Sequence, residues 1–206
     1  DEAVLEKESV FGQTFSYKGE KFAISLAGVY QKENAVLALN ALEELDRLGW
    51  TTTMEQRKDG LLHTSWKGRF TVINKKPLFI VDGAHNAGAA DKMAESVRHY
   101  FNGKKLIYIM GVFADKEYKI VLEKTAHFAE KIYTIETPDN PRALPAEELA
   151  KAARVYNSSA ESTKSIKDAV EKAFSCAGDD ENSVILAFGS LSFIGALTNA
   201  VEEYVG

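Results

Sequence analysis

The sequence is most constrained by residues 78–86, where a continuous apolar run leads directly into the motif Asp-Gly-Ala-His-Asn. A short apolar run of this kind, followed by a glycine and a helical pattern, is typical of a strand buried in a parallel sheet. Open α/β sheets bind their ligands beyond the carboxyl ends of such strands. We therefore expect Asp82, His85 and Asn86 to project into a ligand-binding crevice rather than into the core.

Charge and composition argue against several classes of protein. The 206 residues are 45% hydrophobic and 27% charged, which supports both a core and a solvated surface. A net charge of -5 does not indicate a nucleic-acid-binding protein. The acidic, polar start does not resemble a signal peptide, and no apolar run approaches the about 20 residues of a membrane helix. The single Cys176 is expected to be packed in a helix and fits a reducing compartment, so we predict a cytoplasmic protein.

The first part of the chain, residues 1–63, predicts the end of a larger folding unit. Apolar and polar residues alternate over 11–26 around a Lys-Gly-Glu turn, which indicates a β-hairpin. Apolar residues at helical spacing then predict one helix that ends at Gly49 and a second over 54–62. A lone hairpin is marginal in water, so it should belong to a larger sheet, and we place a second domain at 64–206.

In the second domain, predicted strands and helices alternate. This order implies right-handed βαβ units and a mainly parallel sheet in an α/β fold. The strands are predicted at residues 70–74, 78–82, 106–110, 131–135 and 183–188, and the helices at 87–101, 116–129, 145–154, 166–177 and 193–204.

Three of these strands end in glycine-containing loops, at residues 82–86, 111–116 and 189–192. If the strands are parallel, the loops meet at one edge, where glycine admits a ligand and helix amino termini offer N–H groups to anions. Each candidate residue also has a structural interpretation, as a helix cap, a loop hydrogen bond, a tight turn or a solvated charge. These alternatives apply to Asn34, Arg69, Asp82, His85, Asn86, Asp115, Lys116 and Ser190.

Several familiar catalytic motifs are missing from the sequence. Residues 83–88 have the glycine spacing of a phosphate-binding loop, but Ala89 and Ala90 replace the Lys and Ser or Thr that hold phosphate and magnesium. There is no dinucleotide-binding glycine fingerprint, no zinc-type spacing of His and Cys, and no nucleophile elbow. We therefore predict no metal ligands in this chain.

Taken together and in order, the motifs resemble the carboxyl-terminal part of the folylpolyglutamate synthases, including the bifunctional dihydrofolate synthases, in the Mur ligase superfamily. The resemblance implies a Rossmann-like, mainly parallel sheet with helices on both faces, preceded by a hairpin and helices from the end of a central ATP-binding domain. It runs from about Gly28 to the end and depends on residues 28–35, 66–70, 82–86, 111–116, 140–144 and 189–191.

The resemblance implies an ATP-dependent ligase. In this family ATP converts a substrate carboxylate into an acyl phosphate, and the amine of an incoming glutamate attacks it to give an amide, ADP and phosphate. The implied partners are ATP with Mg²⁺, L-glutamate and a folate, and we expect a monomer. The family's phosphate loop and metal ligands lie in the part of the central domain that precedes this stretch, so we expect a fragment that is inactive in isolation.

The resemblance also suggests three nucleotide contacts, Asn34, Arg69 and Asp82. Their chemistry suits that role, because an amide can read an adenine edge, a guanidinium can hold phosphate oxygens and a carboxylate can accept ribose hydroxyls. By the same resemblance, His85 is a catalytic residue beside the incoming glutamate. Ser190 and Arg142 resemble glutamate-binding residues.

Some features depart from the family or leave its branch open. Tyr30 and Ala87 stand where the family commonly has His and Pro, although neither change removes a proposed ligand. The residues 111–116 match the family without an assigned role for Asp115 and Lys116. One alternative is a Mur ligase of peptidoglycan synthesis, which joins amino acids to a nucleotide-linked muramyl substrate. The other is a non-catalytic Rossmann-like binding module.

Overall fold

The computed structural model describes residues 2–206, and the chain divides into two compact units, Asp1–Arg69 and Phe70–Gly206. This geometric division falls slightly later than the domain junction predicted at residues 63 and 64. The assignment of the first unit to the end of an ATP-binding domain stays a prediction.

The first unit is a three-stranded antiparallel sheet with two helices. Its elements are β1 (Val4–Ser9), β2 (Gly12–Tyr17), β3 (Glu20–Ile24), α1 (Gln31–Arg47) and α2 (Met54–His63). The β2–β3 pair is the predicted hairpin, and both helices lie where the apolar spacing placed them. The pattern did not predict β1, because its mostly exposed residues show no alternation of apolar and polar positions.

The core of the first unit lies between the hairpin and α1. Phe15 and Phe22 are paired across β2 and β3, with their ring centroids 5.6 Å apart. Ala35 and Leu39 belong to the same buried cluster. Their i, i+4 spacing places both side chains on one face of α1, so the hairpin and helix share a single apolar layer.

The second unit is a six-stranded sheet with helices, and it confirms the predicted α/β fold class. Its strands are β4 (Thr71–Lys75), β5 (Leu78–Val81), β6 (Lys105–Met110), β7 (Lys131–Thr134), β8 (Glu161–Ser162) and β9 (Ser183–Phe188), and its helices are α3 (Ala87–Tyr100), α4 (Tyr118–Thr125), α5 (Ala146–Ala153), α6 (Ile166–Ala177) and α7 (Ile194–Val205). The short strand β8 was not predicted. The helix predicted from residue 116 begins later, because the Lys116 N–H first closes a turn onto the Phe113 carbonyl.

The strand order is β4-β5-β9-β6-β7-β8. Neighbouring strands are parallel except β4, which runs antiparallel to β5 at one edge of the sheet. Because β9 lies between β5 and β6, the carboxyl ends of these three strands are adjacent. The loops that follow them therefore start from the same edge, as the sequence predicted.

Both faces of this sheet are covered. All six residues of β9 are buried, which explains its continuous apolar run. On one face, Phe79, Ile109 and Ile185 belong to a buried cluster with α6 and α7, and Cys176 packs partly buried against it. Because successive side chains of a strand point to opposite faces of the sheet, Tyr108 and Phe188 lie on the other face, where α3, α4 and α5 pack. Within residues 2–206, every helix is too short or too polar to cross a bilayer.

Candidate functional site

The loop after β5 begins with Asp82, whose carboxylate is directed into the protein. Only 4% of Asp82 is exposed. One carboxylate oxygen accepts the Phe70 N–H at 2.8 Å, and the other accepts the Ala84 N–H at 2.8 Å. The expectation that Asp82 projects into a crevice is therefore wrong, because these backbone donors draw its carboxylate inward. Its role as a nucleotide contact stays a prediction.

His85, in the same loop, is half-buried and lies on the surface of a cavity. Its Nδ1 is 2.7 Å from the Gly83 carbonyl oxygen. A carbonyl can only accept, so Nδ1 carries the hydrogen, and Nε2 of a neutral ring is left as an acceptor. Asn86 has a structural role, since its side chain accepts the Ala89 N–H and caps α3.

The loop after β9 depends on Gly189. This residue has a φ of +115°, and a Cβ built on it would lie 2.5 Å from the Gly111 carbonyl oxygen. Glycine is therefore required where the loops after β6 and β9 touch. The next residue, Ser190, is buried, with its Oγ 2.8 Å from the Ser192 Oγ and accepting the Ser192 N–H.

These loops enclose a small cavity of about 200 Å³ at the carboxyl edge of the sheet. Its lining combines an ammonium, an imidazole and hydroxyl groups with apolar walls, a set suited to a small anionic ligand. No ion pair among residues 2–206 involves the Lys116 ammonium, although its charge helps to lower the pKa of the Asp115 carboxyl, after the larger effect of the Arg142 hydrogen bonds. The lining residues are His85, Phe113, Lys116, Gly189, Ser190, Leu191 and Ser192.

A larger cavity of about 450 Å³ lies at the opposite edge, between the β4–β5 turn and the loop before β9. Its Lys76 and Glu181 neutralise each other at 3.0 Å, and both side chains are highly exposed. Ligands of open α/β sheets bind at the carboxyl ends of strands, and this cavity lies at the amino ends. We therefore take the smaller cavity as the candidate site.

Arg142, the third predicted glutamate-binding residue, does not line the cavity. Its guanidinium forms a bidentate pair with Asp115, with Nε 3.2 Å from one oxygen and Nη2 on the other. Arg142 lowers the pKa of the Asp115 carboxyl by donating these hydrogen bonds, and Asp115 in turn raises the pKa of Arg142. The predicted contact between Arg142 and glutamate stays untested.

The sequence pattern assigned no role to Lys116, although among residues 2–206 it is the only Lys or Arg that lines this cavity. The available signal was its position in a glycine-containing loop after a buried strand. The same signal identified Gly189 and Ser190, and the fold brings residues of the three predicted loops to one cavity.

Two predicted nucleotide contacts lie in the first unit. Asn34 is exposed in the first turn of α1, and its Nδ2 donates to the Gln31 Oε1 at 3.0 Å. Arg69 lies with its guanidinium carbon 5.7 Å from the centre of the Trp66 ring. The roles of both residues as nucleotide contacts stay predictions. Within residues 2–206, no three His, Cys, Asp or Glu residues are grouped so as to hold a metal ion.

Comparison with known proteins agrees with this architecture. The family described as "Mur ligase, glutamate ligase domain" matches residues 68–191, more than half of the chain. A dihydrofolate synthase/folylpolyglutamate synthase of Bacillus subtilis is 29% identical over 197 residues, covering 93% of this chain and 45% of that protein. The folylpolyglutamate synthase of Lacticaseibacillus casei is 28% identical over 141 residues, covering 66% of this chain and 33% of that protein.

The fold is likewise similar to a solved structure. The Mycobacterium tuberculosis folylpolyglutamate synthase, crystallised with ADP and AMPPCP, matches with a TM-score of 0.79 and 24% identity. The match covers 99% of this chain and 46% of that one, so this chain spans less than half the length of these relatives. The chain belongs to the Mur ligase family, and residues 68–191 form its glutamate ligase domain.

Proposed function

We propose that this chain supplies the glutamate ligase domain, and the segment before it, of an ATP-dependent folate–glutamate ligase. In the proposed reaction ATP phosphorylates a carboxylate of the folate. The amine of glutamate then attacks the acyl phosphate, and an amide forms with release of ADP and phosphate. Family membership and relatives named as folylpolyglutamate synthases support this proposal.

The observation that carries the proposal is the cavity at the carboxyl edge of the sheet. Lys116 brings an ammonium to it, which suits a carboxylate of the incoming amino acid. Ser190 adds a hydroxyl. His85 presents Nε2 as an acceptor, because Nδ1 is held by the Gly83 carbonyl. Nε2 can take a proton from the glutamate ammonium, which leaves the amine that attacks the acyl phosphate.

The nucleotide would be held by Asn34 and Arg69, and Asp82 is the third predicted contact. Asn34 and Arg69 offer an amide and a guanidinium, which suit an adenine edge and phosphate oxygens. The burial of Asp82 favours a structural role for its carboxylate over a ribose contact. ATP supplies the phosphoryl group that activates the carboxylate. We place the Mg²⁺ ligands outside this chain and expect the ligase to be a cytoplasmic monomer.

Specific observations weigh against the two alternatives. A stand-alone binding module should cover its apolar surfaces, yet Leu37, Leu45 and Leu48 of the first unit are exposed at helical spacing, and Trp50 is 75% exposed. A peptidoglycan Mur ligase shares the domain family, but the relatives described above are named as folate enzymes.

The test is an assay of the intact ligase that carries this chain, with ATP, L-glutamate and tetrahydrofolate. We expect ADP release that requires both glutamate and the folate, and a product heavier by one glutamyl residue. Lys116→Met should raise the KM for glutamate by about tenfold or more, because a charge-assisted hydrogen bond is lost. Lys104→Met, at an exposed turn on the other edge, should behave as wild type. Turnover with a nucleotide-linked muramyl substrate but not with a folate would reassign the enzyme.

A further inference from the structure

The loops after β6 and β7 are joined by backbone hydrogen bonds. The Leu144 N–H donates to the Val112 carbonyl at 3.0 Å, and the Ala114 N–H donates to the Arg142 carbonyl at 2.8 Å. An isolated antiparallel bridge pairs Phe113 with Ala143 between them. The two loops therefore form a minimal ladder beside the cavity.

The side chain of Arg142 makes further contacts between the same two loops. Its guanidinium donates hydrogen bonds to both carboxylate oxygens of Asp115, and its guanidinium carbon lies 4.8 Å from the centre of the Phe113 ring. A guanidinium that is engaged in a bidentate pair and stacked on a ring has little freedom to reach another carboxylate.

The ladder is followed by the turn that contributes Phe113 and Lys116 to the cavity lining. The Lys116 N–H donates to the Phe113 carbonyl at 3.1 Å, so Asp115 lies inside this turn. Phe113 and Lys116 line the cavity, whereas Asp115 and Arg142 do not. Holding Asp115 and Phe113 in place thus fixes the backbone from which the Lys116 side chain extends.

We propose that Asp115 and Arg142 are a positioning pair, which orients Phe113 and Lys116 for an amino-acid carboxylate without contacting that ligand. This proposal deepens the proposed function and rests on it. It replaces the direct contact between Arg142 and glutamate that the family resemblance suggested.

Stability alone does not account for the pair. Its two side chains are 52% and 53% exposed, and exposed ion pairs contribute only about 0–1 kcal/mol. Ligand binding is more sensitive than folding to the orientation of the loop, because small displacements of a ligand-binding group cost affinity. Loss of the pair should therefore change glutamate binding more than it changes folding.

The experiment is a double-mutant cycle in the intact ligase with Asp115→Asn, Arg142→Gln and the double variant. Each single variant should raise the KM for glutamate about three- to tenfold while kcat changes less than about twofold, and the double variant should be no worse than either. Arg154→Gln is the matched control. Arg154 forms an ion pair with Glu147, with 2.8 Å between nitrogen and oxygen, and neither residue lines the cavity. Its KM for glutamate should equal that of wild type.

Two results would overturn the positioning role. If Asp115→Asn leaves the KM for glutamate unchanged while Arg142→Gln raises it, Arg142 contacts the amino acid itself. If neither variant changes it, the pair is only a solvated contact. Amide hydrogen exchange of Ala114 and Leu144 is a readout independent of turnover, and both single variants should accelerate it. If exchange accelerates in a ligase that never uses glutamate, the proposed function is rejected, but the pair does hold the ladder in place. If exchange is unchanged, the pair does not hold the ladder.

Discussion

The carboxylate of Asp82 accepts a hydrogen bond from the Phe70 N–H at 2.8 Å, at the first residue of the second unit. Phe70 has a φ of +46°, which residues other than glycine rarely adopt. The same carboxylate accepts the Ala84 N–H, so one buried side chain fixes both the start of the unit and the loop after β5.

Asp82→Asn should therefore destabilise the chain. An amide has only one accepting oxygen, so one buried N–H loses its partner, and we expect the free energy of unfolding to fall by about 1–3 kcal/mol. Denaturant unfolding of the chain measures this, with Asp179→Asn as the exposed control. Unchanged stability, together with a raised KM for ATP in the intact ligase, would instead identify Asp82 as a nucleotide contact.

The sequence predicted the sheet well because its signals are local. The apolar runs of β5, β6 and β9 are buried on both faces, and each is followed by a glycine-containing loop. These features placed the predicted loops at the edge of the sheet where the candidate cavity lies. The strands β1 and β8 were missed, since one is mostly exposed and the other has two residues.

The roles of individual side chains were harder to predict, because they depend on contacts between distant segments. Asp82 turns inward because the Phe70 N–H, twelve positions earlier, requires an acceptor. Arg142 binds Asp115, which lies 27 positions earlier, and so is engaged away from the cavity. Neither partner can be identified from residue spacing alone.

Gly189→Ala should disturb the candidate site. Its φ of +115° is strained for alanine, and the new Cβ would lie 2.5 Å from the Gly111 carbonyl oxygen. We expect a loss of at least about 1–3 kcal/mol in the free energy of unfolding from backbone strain, with further cost from the clash. Gly195→Ala is the control, because that glycine lies in α7 with open space around it. Equal stability of the two variants would contradict the close approach of the loops.

Arg69→Ala in the intact ligase should raise the KM for ATP by about tenfold or more, because a charge-assisted contact to phosphate is lost. The exposed neighbour Lys67 provides the control, and Lys67→Ala should leave ATP kinetics unchanged. If Arg69 only packs beside Trp66, its replacement will alter stability and leave the KM for ATP at the wild-type value.

The isolated chain should form no ATP-dependent amide bond. Its sequence has the glycine spacing of a phosphate loop at residues 83–88, but Ala89 and Ala90 follow in place of the residues that hold phosphate and magnesium. Pure chain, incubated with ATP, Mg²⁺, glutamate and a reduced folate, should release ADP no faster than a blank. Glutamate-dependent ADP release from the pure chain would show that this stretch contains a complete ATPase site.

The last prediction concerns pH and the edge strand β8. Glu161 accepts a hydrogen bond from the Lys131 Nζ at 2.6 Å and lies 3.3 Å from the Lys172 Nζ. The Lys131 hydrogen bond is the main cause that lowers the pKa of the Glu161 carboxyl. Because the folded state favours the ionised form, this stabilisation is present above the unfolded pKa and is lost as the pH falls through the lowered one.

Wild type should therefore be more stable than Glu161→Gln near neutral pH. The difference in stability between wild type and Glu161→Gln should shrink as the pH falls from about 7 to about 3, because wild-type Glu161 becomes protonated and its ion pairs with Lys131 and Lys172 are lost. Thermal unfolding at several pH values measures it, with Glu171→Gln on the exposed side of α6 as control. A difference that stays constant over this range would mean that packing at position 161, rather than its charge, holds β8 against β7.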